Sequence, residues 1–184
     1  MRIFTSLLIV IALVFIGCGG SKQVVRDESG MPAFVLNPPR APGKLYGSGI
    51  AKKASPQLAK EIADLNAKKE IAKVLGQQVS NLMKQFMGES GIGEAAEVTE
   101  FSQSITKAVT DQNLVGVIVE KREFVGGTMY SLAMLDLTDS EVMGFIKNQV
   151  ERALTSKEAL LSEFRAKKGF EELEKELQKL NVAQ

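Results

Sequence analysis

The hydrophobic period of this chain changes sharply between its longest helical stretch and the segment after Asn113, and that change limits the folds open to it. After Ser55-Pro56, the residues Leu58, Ile62, Leu65, Ala72, Leu75, Val79, Leu82 and Phe86 recur at three- and four-residue steps. Lys60, Glu61, Lys68, Lys69, Glu70 and Lys73 fill much of the rest. The spacing predicts one long amphipathic helix running to about Met87. Ser55 is a good N-cap and Pro56 suits the first helical position. Such a helix buries one stripe on something flat. From Asn113 to Leu137, "NLVGVIVEKREFVGGTMYSLAMLDL", the period shortens and β-branched and aromatic residues dominate. Gly126-Gly127 divides this run, and a Gly-Gly pair suits a two-residue hairpin turn with positive φ at both positions. A tight turn sets Val125 opposite Thr128, Lys121 opposite Leu132 and Val119 opposite Met134. Glu120 to Glu123 then form a polar end projecting past the helices.

The other segments fit around this pair. "LYGSGIA", Leu45 to Ala51, predicts a strand whose glycines admit another backbone at close range. It lacks the Lys-Ser/Thr ending of a phosphate loop. "GESGIGE", Gly88 to Glu94, ends the long helix, and a weaker helix follows to about Gln112. "TDSE" is a capping box in which Thr138 caps a helix and Glu141 reaches back. After "TSKE" a last helix runs to about Leu180. The order β, long α, weaker α, hairpin, α, tail helix predicts an α+β fold. Its helices cover one face of a small antiparallel sheet built from one strand plus the hairpin.

The first residues address the protein. Arg2 precedes the uncharged run Ile3 to Ile16, the pattern of a secretory signal. The run is too short for a spanning helix. "FIGC", Phe15 to Cys18, resembles a bacterial lipobox. That resemblance implies cleavage before Cys18, a diacylglyceryl thioether on its sulfur and an acylated amino group. Cys18 is the only cysteine of the chain, and lipidation accounts for it. Each buried methylene contributes about 0.8 kcal/mol, so several acyl chains hold a protein on a bilayer for long times. Gly19 rather than Asp follows, which in lipoproteins of enteric type implies release to the outer membrane; the domain is expected to face the periplasm, with exposure at the cell surface the alternative. The expected organisation is a signal peptide over 1–17, a lipidated tether over 18–31, an α+β domain over 32–155 and a helical tail over 156–184. Four of the five prolines fall between Pro32 and Lys44, marking an ordered or polyproline-like arm.

Composition excludes more than it selects. Cleavage leaves 167 of the 184 residues, enough for one domain with a real core. Arg2 is the only charge removed, so 22 basic side chains face 22 acidic ones. That balance offers no basic face for nucleic acid. The chain has no histidine, which removes a Ser-His-Asp triad, His-ligated zinc and the usual pH switch. Acid–base work would fall to carboxylates, Lys or Tyr. The pairs Asp136/Asp139 and Glu120/Glu123 are the candidates, but Asp139 in a first helical turn is favoured by the helix dipole alone. No Asp-rich twelve-residue calcium loop is present. The expectation is therefore a non-enzyme with no cofactor and no metal.

Two uses remain open. Ala166, Phe170, Leu173, Leu177 and Leu180 follow steps of four, three, four and three, which is coiled-coil spacing over barely two heptads. They either pack on their own domain or meet a protein partner or a second copy. Alternatively, Met83, Phe86, Met87 and Phe101 line an apolar cavity between the long helix and the sheet, as in a small-ligand carrier. Taken together, "PAFVLNPP", "LYGSGIA", the Ala-, Lys- and Glu-rich helix and "VEKREFVGGTMYSLAMLDL" resemble the twenty-kilodalton outer-membrane lipoprotein family, which has a flagellar lipoprotein among its relatives. The resemblance spans roughly Pro32 to Ala153. It implies an α+β domain on an outer-membrane lipid anchor, without known catalysis, in some members near the flagellar base. No catalytic residue carries over.

Overall fold

The computed structural model describes residues 30–91, 95–110, 115–155 and 157–180. The signal segment, Cys18 and most of the tether lie outside them. A short helical turn, α1 (Ala33–Leu36), leads into β1 (Lys44–Lys52), then α2 (Pro56–Ser90) and α3 (Ala95–Thr110). The hairpin β2 (Ile118–Val125) and β3 (Thr128–Asp136) follows, then α4 (Ser140–Leu154), α5 (Glu158–Ala166) and α6 (Gly169–Gln178). The three strands form an antiparallel sheet in the order β1-β3-β2. The expected α+β architecture stands, with a long helix and a helical tail.

The 35 residues of α2 make a rod of about 50 Å. Ser55 caps it, accepting from the Leu58 N–H, with Pro56 at the first position as the sequence predicts. The face it buries differs from the expected stripe. Its first turns turn Ala59, Ala63 and Ala67 inward, while Leu58 and Leu65 stay 45% and 49% exposed. The cause lies in β1. A Cβ at Gly49 would stand 1.9 Å from the Ala63 carbonyl oxygen, and one at Gly47 would stand 2.5 Å from that of Ala67. Only glycine fits there, and the alanines opposite, Ala63 and Ala67, are fully buried. Backbone-to-backbone packing therefore orients this half of α2, and leucine is turned away. Past Ile71 the buried set becomes larger, with Leu75, Val79, Met83 and Met87. Here α3 folds back along the helix, and the Thr106 hydroxyl reaches the Gly76 carbonyl at 3.4 Å.

The inner face of the sheet carries Leu45, Gly47, Gly49 and Ala51 beside Leu135, Ala133 and Ser131. The outer face carries Leu132 and Met134, both buried, and α1 packs against β1 and β3 with Phe34 also buried. Lys121 on β2 sits 5.2 Å from the centre of the Phe34 ring, and its register partner Leu132 places it on that outer face. The proline-rich arm is thus a strap across the face that the helices leave open.

The hairpin turns on Gly126 and Gly127, with φ of 56° and 78°. Val125 faces Thr128 and Lys121 faces Leu132, as expected. Val119 faces Ala133 instead of Met134, because the register shifts between Val119 and Lys121. An extra residue there, Glu120, makes a β-bulge and moves everything beyond it by one place. The capping of α4 also shifts by one residue. Asp139 is the cap, accepting from the N–H groups of Glu141 and Val142. Thr138 instead donates its N–H and hydroxyl to Asp136 Oδ1 at 2.9 and 2.6 Å. Asp139 takes the cap because one carboxylate oxygen meets both free amides at once, while the Thr138 hydroxyl is engaged by Asp136.

The tail is two helices rather than one. Lys168 takes the left-handed conformation, φ 56°, between α5 and α6. Leu160, Phe164, Leu173 and Leu177 join the same core as Ile71, Leu135 and Ile146.

Candidate functional site

The tail stripe is mostly spent on the domain itself. Leu173 and Leu177 are buried at 3% and 0% exposure. Phe170 and Leu180 are partly buried against the same core. Ala166 ends α5, on the far side of the Lys168 break, and is exposed. The break turns one apparent heptad stripe into two short faces. Phe164 clasps them, its ring meeting Phe86 and Phe170 edge-on at 4.8 Å each. Ala166, Phe170, Leu173, Leu177 and Leu180 therefore do not form a shared seam for another helix.

The apolar cavity expected between helix and sheet has no room at the glycine seam, where the two backbones touch. Met83, Met87 and Phe101 are core residues, at most 4% exposed. What opens nearby is a surface cleft of about 260 Å³ between α2, α5 and α6. Leu82, Met83, Phe86, Phe164 and Leu173 form its apolar wall, and Glu89, Glu172 and Glu176 its rim. Each rim carboxylate has a neighbour. Gln85 donates to Glu89, Lys175 stands 3.8 Å from Glu172, and Lys179 pairs with Glu176. The hydrogen bond from Lys179 holds the Glu176 carboxyl below its ordinary pKa.

Neither carboxylate pair is arranged as an acid and a base. Asp136 ends β3, where the Thr138 hydroxyl and N–H keep its pKa low, with Lys44 3.5 Å away. Asp139 is spent as a cap. Glu123 points to the outer face, where its carboxylate is buried with Lys121 Nζ 2.9 Å away and makes no hydrogen bond, while Glu120 sits in the bulge. Among the described residues, no group of three or more His, Cys, Asp or Glu could hold a metal ion.

A polar cluster with no signature in the residue spacing lies between α2 and the hairpin. Asp64 on α2 receives Arg122 Nε at 2.8 Å and Nη2 at 2.8 Å, and the Ser131 hydroxyl at 2.7 Å. Burial works to raise the Asp64 pKa, but the hydrogen bonds from Arg122 and Ser131 and the Arg122 charge outweigh it. The carboxylate is held ionised below its usual range, which makes it a poor base. Its effect is mechanical, pinning β2 to the long helix. Arg122 therefore folds onto α2, and the hairpin end does not project past the helices as expected.

The two edges of the sheet differ. Along β1, the Glu70 carboxylate accepts from the Ser48 N–H at 2.5 Å, and Asn66 Nδ2 donates to the Ile50 carbonyl at 3.0 Å. Side chains from α2 thus occupy the groups that a further strand would use. Asn66 and Glu70, four apart beside Ala63 and Ala67, were the available sequence signal for this. Along β2 nothing comparable is found among the described residues. Ile118 is 53% exposed on the outer side and Phe124 50% exposed on the helix side. Glu120, Lys121 and Arg122 between them are exposed.

Comparison with protein-family models, with curated proteins and with solved structures returns no match to this chain. No helix among the described residues is long and apolar enough to cross a membrane.

Proposed function

We propose that this chain is a lipid-anchored, non-enzymatic protein of the outer membrane that acts by holding other envelope proteins. The observation that supports it best is the β2 edge. Backbone hydrogen-bonding groups and two half-exposed apolar side chains are presented there together, while the β1 edge is closed. Exposed strand edges recruit extended chains from partners through main-chain hydrogen bonds. The lipobox around Cys18 supports the anchor, and its acyl chains would restrict the search for partners to the membrane surface. A place beside the flagellum is the narrower form of this proposal, resting on the resemblance of the segments between Pro32 and Ala153 alone.

The test is metabolic labelling with a palmitate analogue, followed by membrane separation on a density gradient. The wild-type chain takes up label and travels with the outer membrane, and Cys18→Ser does neither. Labelled protein in the inner membrane would remove the location, and unlabelled protein the anchor. A swimming assay of a deletion strain checks the flagellar form.

The cleft supports a second use as a carrier of a small amphiphile. Its volume of about 260 Å³ lies just below the usual range for ligand sites. Native mass spectrometry of protein taken from cells would show the adduct, and its repeated absence would end this second proposal.

A further inference from the structure

We infer that the outer face of the sheet rests on the bilayer that holds Cys18, with the strands lying along the lipid headgroups. This depends on the proposed anchor, and it names the surface through which the folded domain meets the membrane.

The register sets two rows of large side chains on that face. Tyr46, Met134 and Ile118 stand side by side across β1, β3 and β2, and so do Ile50, Tyr130 and Glu123. Four residues of β1 separate the rows, about 13 Å. The row between them is Ser48, Leu132 and Lys121, and Phe34 of the strap lies over Lys121. The helices cover the opposite face of the sheet. On this one the strap covers only the middle, so Ile50 and Ile118 are exposed on its two sides, and Leu36 is exposed on the strap itself. Tyr46 and Tyr130 are half-buried beside them. Apolar side chains gathered on one face mark a site for a protein or a membrane. Tyrosine, with an apolar ring and a polar tip, suits the boundary between lipid and water.

The lead to the anchor decides for the membrane. The chain that returns to Cys18 leaves from the strap, where Phe34 is buried on this same face. From Gly30 only twelve residues lead back to Cys18, a reach of at most about 40 Å. So short a lead keeps the face at a high effective concentration of lipid. A face too weak to bind lipid from solution then still settles on it, whereas a protein partner has no such advantage. Charge agrees. Lys52 is exposed on this face, and Lys44 answers Asp136. Lys121 keeps 50% of its side chain exposed, while Glu123 beside it keeps 11% and its carboxylate is buried. The face thus presents ammonium groups and withdraws a carboxylate. Lysines on an apolar surface extend their heads toward water and phosphate.

This orientation also serves the proposed interaction role. With the outer face on lipid, α2 lies on the side away from the membrane. The open β2 edge then points along the membrane surface, where other anchored proteins would meet it.

The experiment uses the full-length lipidated chain in vesicles of phosphatidylethanolamine and phosphatidylglycerol. Lipidation takes the sulfur of Cys18, the only cysteine, so an introduced cysteine is the one free thiol. Ile50→Cys, Ile118→Cys and Leu65→Cys each carry a polarity-sensitive fluorophore. All three sites are exposed, which spares the core, and Leu65 lies on the turned-away side of α2 as the reference. The expected result is emission shifted to the blue at Ile50 and Ile118 and mostly lost when the lipids carry a nitroxide just below the headgroup. Neither change is expected at Leu65. Adding Ile118→Glu to the chain labelled at Ile50 should reverse both changes, because the two rows settle together. Labels at Ile50 and Ile118 that stay as wet as the one at Leu65, on chains that float with the vesicles, would overturn the inference and leave the anchor standing. Chains that do not float would overturn both. Shielding of Ile50 and Ile118 in whole cells but not in vesicles would overturn the lipid contact and give the face to a protein partner.

Discussion

The two edges of the sheet share one central strand, yet one is closed and the other open. The difference starts from two glycines. Gly47 and Gly49 let α2 sink onto β1 until its backbone meets the strand. So placed, the helix reaches around the β1 edge with Asn66 and Glu70. The same displacement takes it away from β2. There Asp64 reaches across, and it holds the Arg122 side chain rather than the backbone. Small residues in the strand nearest the helix thus decide which edge of the sheet is left for a partner.

The most damaging way to break this contrast is Gly49→Val. The new side chain would overlap the Ala63 carbonyl, which is backbone and cannot rotate aside. Lifting α2 off β1 should destabilise the fold by about 3 kcal/mol or more. It should also withdraw Glu70 and Asn66 from the edge. Urea unfolding measures the loss, and an unchanged midpoint would mean that the close approach does not set the packing.

Next in size is Asp64→Ala, with a loss of about 2 kcal/mol. It strands the Ser131 hydroxyl, which is fully buried, and releases Arg122. The effect depends on pH in a definite direction. The folded pKa of Asp64 lies below its unfolded value. Its contribution is therefore complete above the unfolded carboxylate pKa, about 4, and fades as pH falls through the lower folded one. Wild type and variant should converge in acid. Asp136 is shifted in the same direction, but it is common to both proteins and cancels in the difference. A gap that stayed constant down to pH 2 would remove the ion pair as its cause.

Gly127→Ala comes third and tests the open side alone. The position is roomy but its φ is 78°, so the loss is the left-handed conformation itself, about 1 kcal/mol. The strand register of the hairpin should survive, with a lower thermal midpoint in a calorimeter.

Much of this fold was legible because its signals are local. Ser55-Pro56 marks its own helix start, and Gly126-Gly127 its own turn. What failed was set by neighbours distant in sequence. Leu58 and Leu65 fit a helical stripe as well as Ala63 and Ala67 do, and only the glycines of β1 decide between them. The tail stripe has a good heptad spacing, which cannot show that the chain breaks at Lys168. Thr138 and Asp139 are both good caps, and one residue of register separates the two outcomes. The candidate site was the least legible part. Arg122 and Ser131 face each other across the predicted hairpin, but Asp64 lies 58 residues before Arg122, and no spacing joins it to them. That β2 is an edge follows only from the order β1-β3-β2, because a hairpin does not announce on which side a third strand will add.

The smallest expected effect sharpens the comparison most. Glu70→Ala removes one exposed hydrogen bond to the Ser48 N–H, with a loss of about 1 kcal/mol or less. Global stability will hardly register it, so the informative measurement is hydrogen exchange at single residues. The Ser48 amide should speed up while those of β3, bonded on both sides, keep their rates. If that amide then exchanges as fast as those along the open β2 edge, the Glu70 side chain was what closed the β1 edge. If it stays slow, the body of α2 shields the edge by itself, and the difference between the two edges lies in where the helix rests rather than in what its side chains hold.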